Sequence, residues 1–157
     1  MTSERTERRV IASMVRRSTR FERDFIKRLV EQLGQLVARL SRLRDEGKHD
    51  EALDEIDETL GRLVPARHDL VARLDAASAA RMMRDRDTIK AYARLLAEQA
   101  ESHAAQGDAR LATTRRDRAI ALLEEARKMT DGTDEELEAW LREIRSRAPS
   151  GSPSPSI

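Results

Sequence analysis

Three histidines, His49, His68 and His103, are the only imidazoles in the chain, and there is no cysteine. Neutral-pH proton transfer, thiol nucleophiles and most transition-metal sites draw on these two residue types. One pairing has metal-ligand spacing: Glu46-x-x-His49 matches the Glu-x-x-His step of carboxylate-bridged di-iron bundles. Gly47 interrupts it at a helix end, and a second such motif is missing. There is no His-Glu-x-x-His pair, glycine-rich phosphate loop or nucleophile elbow. The acids Asp54, Glu55, Asp57 and Glu58 read as a solvated helix face. Glu135, Glu136 and Glu138 suit a helix N-terminus, where the macrodipole favours anions. These residues assemble no catalytic centre, metal site or cofactor site, so the chain is not expected to be an enzyme. His103 falls on the apolar side of its helix and reads as a half-buried core histidine.

The charged residues decide little more by themselves. They make up 38% of the chain, but acids and bases nearly cancel to a net charge of +1, leaving no global field to steer the chain to nucleic acid or a membrane. All but four of the basic residues are arginine, the exceptions being Lys27, Lys48, Lys90 and Lys128. The arginines are spread along the chain and interleaved with acids, as on solvated helices. One bias is local: between Met1 and Arg28 bases outnumber acids nine to four. A basic arm of this kind supports a second reading, that of a nucleic-acid-associated protein. Aromatic residues are only 3% of the chain, which leaves little for base stacking, and nucleic acid is not the expected partner. No stretch approaches the roughly 20 apolar residues of a membrane span, and the expected location is cytoplasmic.

The elements that position these residues are helical. Leu29, Leu33, Leu36, Leu40 and Leu43 alternate steps of four and three within a long helix from Phe21 to Glu46. The stripe is broadened by Ile26, Val30 and Val37, and it serves either as a core spine or as a seam joining two chains. A homodimer through the Leu29–Leu43 helix is therefore one expected assembly. Gly47 ends this helix, and Asp50 is placed to cap the next, which carries Leu53, Ile56, Leu60 and Leu63 up to Pro65. Short helices follow over 69–74 and 76–84, the latter capped by Asp75 with Met82 and Met83 turned inward. A second long helix runs over 88–106 behind Asp87. Gly107-Asp108 turns the chain into 109–129, whose inner residues are read as Leu111, Ala119, Leu122, Leu123 and Ala126. Thr133 and Glu136 form a capping box for a last helix carrying Leu137, Trp140, Leu141 and Ile144. Three segments result: a basic extension over 1–20, partly disordered or helical, an all-helical domain over 21–147, and a Ser/Pro-rich tail over 148–157 that is expected to be disordered.

Within that domain one pattern occurs twice. Gly47 and Gly107 each precede an alanine by five residues, Ala52 and Ala112, and sit between two helical stretches. In the same register Leu36 falls on Leu96, Leu60 on Ile120 and Leu63 on Leu123. The segment Gly47-Lys-His-Asp-Glu-Ala-Leu-Asp-Glu-Ile-Asp-Glu-Thr-Leu60 resembles the tetratricopeptide repeat (TPR), whose small residues let two helices of a hairpin approach closely. In the second copy Arg116 stands where the repeat expects an apolar residue, and the interval between copies exceeds the family's roughly 34 residues. The stretch Asp24-Phe-Ile-Lys-Arg-Leu-Val-Glu-Gln-Leu33 is also similar to that of small bacterial proteins with one such hairpin. The resemblance implies an all-α fold of stacked antiparallel hairpins, about six helices without a sheet. It also implies a non-catalytic adaptor or scaffold engaging a protein partner that the sequence does not name. Gly47, Ala52, Gly107 and Ala112 are the residues expected to shape its turns and close helix contacts.

Overall fold

Alanine, leucine, arginine and glutamate dominate the sequence, and each loses little side-chain freedom in a helix. The computed structural model describes residues 3–147, and all of the regular structure among them is helical. Seven helices follow in order: α1 (Ser3–Asp45), α2 (His49–Leu63), α3 (His68–Arg73), α4 (Ala76–Met83), α5 (Arg86–Ala105), α6 (Ala109–Lys128) and α7 (Glu135–Ser146). The tail expected over 148–157 lies outside the described residues. No helix among the described residues is long and apolar enough to cross a membrane.

The chain divides into two compact units, Met1–Gly34 and Gln35–Ile157. The first holds only the N-terminal part of α1. The helix expected from Phe21 begins at Ser3, so the basic segment is continuous with the leucine ladder. In that ladder Leu33 and Leu40 are buried, while Leu29, Leu36 and Leu43 are half-buried.

The second unit is built around α5, which packs against α2, α4, α6 and α7. Every side chain from Thr88 to Ala100 is buried. The inward faces of its neighbours follow helical spacing: Ala52, Ile56, Leu60 and Leu63 on α2, Ala112, Ala119, Leu122, Leu123 and Ala126 on α6, and Leu137, Leu141 and Ile144 on α7. Alanine at the α5–α6 contact keeps side-chain bulk out of the crossing, so the two axes can lie close. Leu111 is 38% exposed, against expectation, because its neighbour Ala112 takes the inward position and one residue is a rotation of about 100°.

Four aspartates cap helix N-termini. Asp75, Asp85, Asp108 and Asp134 each accept the backbone N–H three residues on, satisfying a donor the helix cannot pair itself. Two expected caps are thereby corrected. Asp85 rather than Asp87 starts α5, and it also accepts the Thr88 hydroxyl at 2.8 Å. Asp134 rather than Thr133 starts α7. Asp50 does not cap α2, whose N-cap position is Lys48; it accepts instead from Gln106 Nε2 at 2.8 Å.

Between α4 and α5 the chain reverses through a strained residue. Arg84 has φ +66° and ψ −37°, and Asp85 N–H donates across it to the Met83 carbonyl at 2.8 Å, a γ-turn of the rarer hand. A side chain is disfavoured there. Arg84 is exposed, so Arg84→Gly is expected to raise stability by about 1 kcal/mol, the relief of strain exceeding the added entropy of the unfolded chain. A urea unfolding midpoint below that of the parent would contradict this.

Candidate functional site at the second hairpin turn

The two glycine turns share one hydrogen-bond pattern. In the first, Gly47 N–H donates to Arg44 O at 3.0 Å and Lys48 N–H to Leu43 O at 2.8 Å. In the second, Gly107 N–H donates to Ala104 O at 3.0 Å and Asp108 N–H to His103 O at 2.9 Å. Both are Schellman caps, which require a left-handed residue at the glycine position. Gly47 and Gly107 adopt φ +76° and +84°. A Cβ at either would meet nothing within 4 Å, so backbone conformation and not space selects glycine. Ala52 and Ala112 follow in the same register and are 0% and 2% exposed. The Gln106–Asp50 hydrogen bond joins the second turn to the first turn of α2.

Beside these turns runs a charged ladder that helical spacing generates. Arg86, Lys90, Arg94 and Glu98 recur every fourth residue and so share one face of α5. Burial of that face demands partners for each charge. Arg86 Nη1 and Lys90 Nζ reach Asp134 at 2.9 and 2.8 Å, and Lys90 also reaches Glu136 at 2.9 Å. Arg94 pairs with Glu143 at 3.0 Å and with Glu98 at 3.4 Å, and Arg44 of α1 reaches Glu98 at 2.6 Å. Trp140, expected in the core, is half-buried beneath this ladder. Lys90 Nζ and Arg94 Cζ lie 5.2 and 5.5 Å from its ring centre, within cation–π range.

This network sets the acid side of the stability profile. Partial burial pushes the Asp134 carboxyl up, but hydrogen bonds from Lys90 and Leu137 N–H outweigh it and hold the carboxyl below its usual range. The Arg94 guanidinium depresses Glu143 against a smaller effect of burial. Burial works to lower the Lys90 ammonium, and its two carboxylate partners raise it overall. Depressed carboxylates contribute stability that is fully present above their unfolded range, about pH 4, and lost as pH falls through the lower folded values. The raised Lys90 contributes below about pH 10 and loses its contribution above that. Trp140 emission, the chain's single tryptophan signal, should therefore stay constant from about pH 5 to 9 and change below about pH 4 and above about pH 10. A transition centred near pH 6 would contradict the assignment.

The candidate site itself is a recess of about 200 Å³ at the second turn. Its rim is formed by Ala104 and Gly107 of the turn, Ala109 and Thr113 of α6, and Arg147 at the end of α7, all of them exposed. Buried Ala112 and Arg116 form the remainder of its lining. Arg147 is engaged, pairing with Glu143 at 2.5 Å and with Glu101 at 3.9 Å. Arg116 is 6% exposed, and among the described residues it makes no side-chain hydrogen bond and no ion pair. Four residues after the turn alanine, the first copy has Ile56, 0% exposed, and the second has this arginine.

Gly107 and Ala112 thus line the recess, while Gly47 and Ala52 shape the other turn. Elsewhere the structure disperses the chemistry-bearing residues. Glu46 pairs with Lys48 at 3.3 Å, and His49 is half-buried. His68 Nδ1 meets the Tyr92 hydroxyl at 3.3 Å, and His103 is half-buried. No group of three or more potential metal ligands is brought together among the described residues. Sequence reading passed over Arg94, Glu98 and Arg147, each of which has one partner more than forty residues away. It did register Arg116, as the residue breaking the repeat's apolar pattern. Compared with protein-family models, curated proteins and solved structures, the chain matches none of them.

Proposed function

We propose that this chain is a non-catalytic protein-interaction adaptor or scaffold, built on two TPR-like hairpins and engaging a protein partner. The observation that carries the reading is the duplication of one turn: the same Schellman-capped glycine, with a buried alanine five residues on, occurs at Gly47/Ala52 and Gly107/Ala112. Repeated helical hairpins pack by their small-residue faces and leave their outer faces and turns for contact. Interleaved exposed charges on those faces favour selective, modest-affinity contacts over tight apolar ones.

The test is affinity capture of partners by the intact chain from native lysate, followed by crosslinking and identification. The expected result is a discrete protein partner that survives nuclease treatment and replacement of Arg5, Arg8, Arg9, Arg16 and Arg17 by glutamine. Complete loss on nuclease treatment would overturn the adaptor reading in favour of a nucleic-acid-associated role for the basic arm.

A further inference from the structure

Arg116 leaves one positive charge unpaired at the edge of the core. Its guanidinium makes no hydrogen bond or ion pair among the described residues, and none of its nitrogens is fully buried without a partner, so the charge keeps contact with solvent. Its equivalent in the first hairpin is an isoleucine in a closed core. What differs locally is the recess, onto which Arg116 faces.

Resting on the adaptor reading above, we infer that this recess is a binding site for an acidic side chain, a Glu or Asp carboxylate presented by the partner protein. Three features select that ligand. The first is size: about 200 Å³ lies below the roughly 300 Å³ at which drug-sized and cofactor pockets begin, and suits one side-chain head. The second is charge. Arg147 is already paired with Glu143 and Glu101, so Arg116 supplies the one uncompensated positive charge in the lining. One guanidinium fork matches one carboxylate, whereas a phosphate dianion would bring surplus charge close to Glu101 and Glu143. The third is the rim. Ala104, Gly107 and Ala109 are small and exposed, so another protein's main chain can come close while its acidic side chain reaches inward. A free small carboxylate would leave that rim unused.

The test is titration of the isotope-labelled intact chain, followed by the backbone amides of Gly107, Ala109, Ala112 and Thr113. Four probes are used: the capped peptide Ac-Ala-Ala-Glu-Ala-Ala-NH2, its Gln counterpart, acetate and inorganic phosphate. The Glu peptide is expected to give saturable shifts at these amides, with the Gln peptide and acetate each about tenfold weaker and phosphate no tighter than acetate. Arg116→Leu should abolish the Glu-peptide shifts. Ala109→Glu, at an exposed rim position that leaves the core untouched, should do the same by placing a competing carboxylate at the recess. Equal binding of the Glu and Gln peptides, or shifts that survive Ala109→Glu, would overturn the site. Acetate binding as tightly as the Glu peptide would overturn the peptide source, and tighter phosphate binding would overturn the carboxylate.

The two proposals fail separately. A partner captured equally by the parent and by Ala109→Glu, with no Glu-selective titration, removes this site and leaves the adaptor reading standing. Glu-selective titration without any captured protein removes the adaptor reading and leaves the site.

Discussion

Replacing Glu98 by alanine is expected to destabilise the chain by about 3–5 kcal/mol. Glu98 is 1% exposed and lies between Arg44 at 2.6 Å and Arg94 at 3.4 Å, themselves only 13% and 8% exposed at the side chain. Such a network forms only because every charge in it has a partner. Taking away the carboxylate leaves two guanidiniums in a site with little water to solvate them. They are not affected equally. Arg94 keeps Glu143 at 3.0 Å, whereas Arg44 has no second ion-pair partner among the described residues, and its Nη1 already makes no hydrogen bond. Most of the loss should therefore trace to Arg44, and Arg44→Met combined with Glu98→Ala should recover much of it. Urea unfolding of the two single variants and the double variant measures the coupling directly. A Glu98→Ala loss below about 1 kcal/mol would mean that the ladder behaves as a solvated surface array.

The second large effect is Ile56→Arg, which copies the residue of the second hairpin into the first. A loss of about 4 kcal/mol or more is expected, since Ile56 is 0% exposed and the new charge would have no carboxylate to meet. Ala52, Leu60 and Leu63 are buried with it on the same face of α2. The variant should be partly unfolded at room temperature, with reduced helical circular dichroism and a lowered midpoint. An unchanged midpoint would show that both positions accept a guanidinium, and that the recess gives Arg116 nothing special.

How much of this could be read in the sequence depended on range. Local signals were legible: apolar residues at three- and four-residue steps, glycine at a left-handed cap, and Asp75 as the cap of α4. Their errors were local as well. Asp87 and Thr133 sit two residues and one residue from the aspartates that cap, because neighbouring polar residues offer the same oxygen at slightly different geometry. Leu111 was read inward because leucine is the more hydrophobic neighbour, but the close α5–α6 crossing has room only for Ala112.

The charged face of α5 was illegible for a different reason. Lys90, Arg94 and Glu98 at four-residue spacing look the same whether they face water or carboxylates of α7. The partners of Lys90 and Arg94, Asp134 at the N-cap of α7 and Glu136 and Glu143 within it, lie more than forty residues away. One hint was available: Ile89, Ala91, Tyr92, Ala93, Leu95 and Leu96 occupy the other directions around α5, leaving no broad solvent face. Arg116 was the reverse case. Its departure from the repeat's apolar pattern was visible, but the recess that gives the departure meaning exists only once α7 brings Arg147 to the second turn.

The central claim is that Arg116 is retained for what it binds and not for what it holds together. Equilibrium urea unfolding of Arg116→Leu tests this most directly, because leucine keeps much of the apolar contact and removes the unpaired charge. The account predicts a variant at least as stable as the parent, by about 0–2 kcal/mol, with a cooperative transition and unchanged helical content. A loss of about 2 kcal/mol or more would contradict it, by showing that the guanidinium is a structural member of the core.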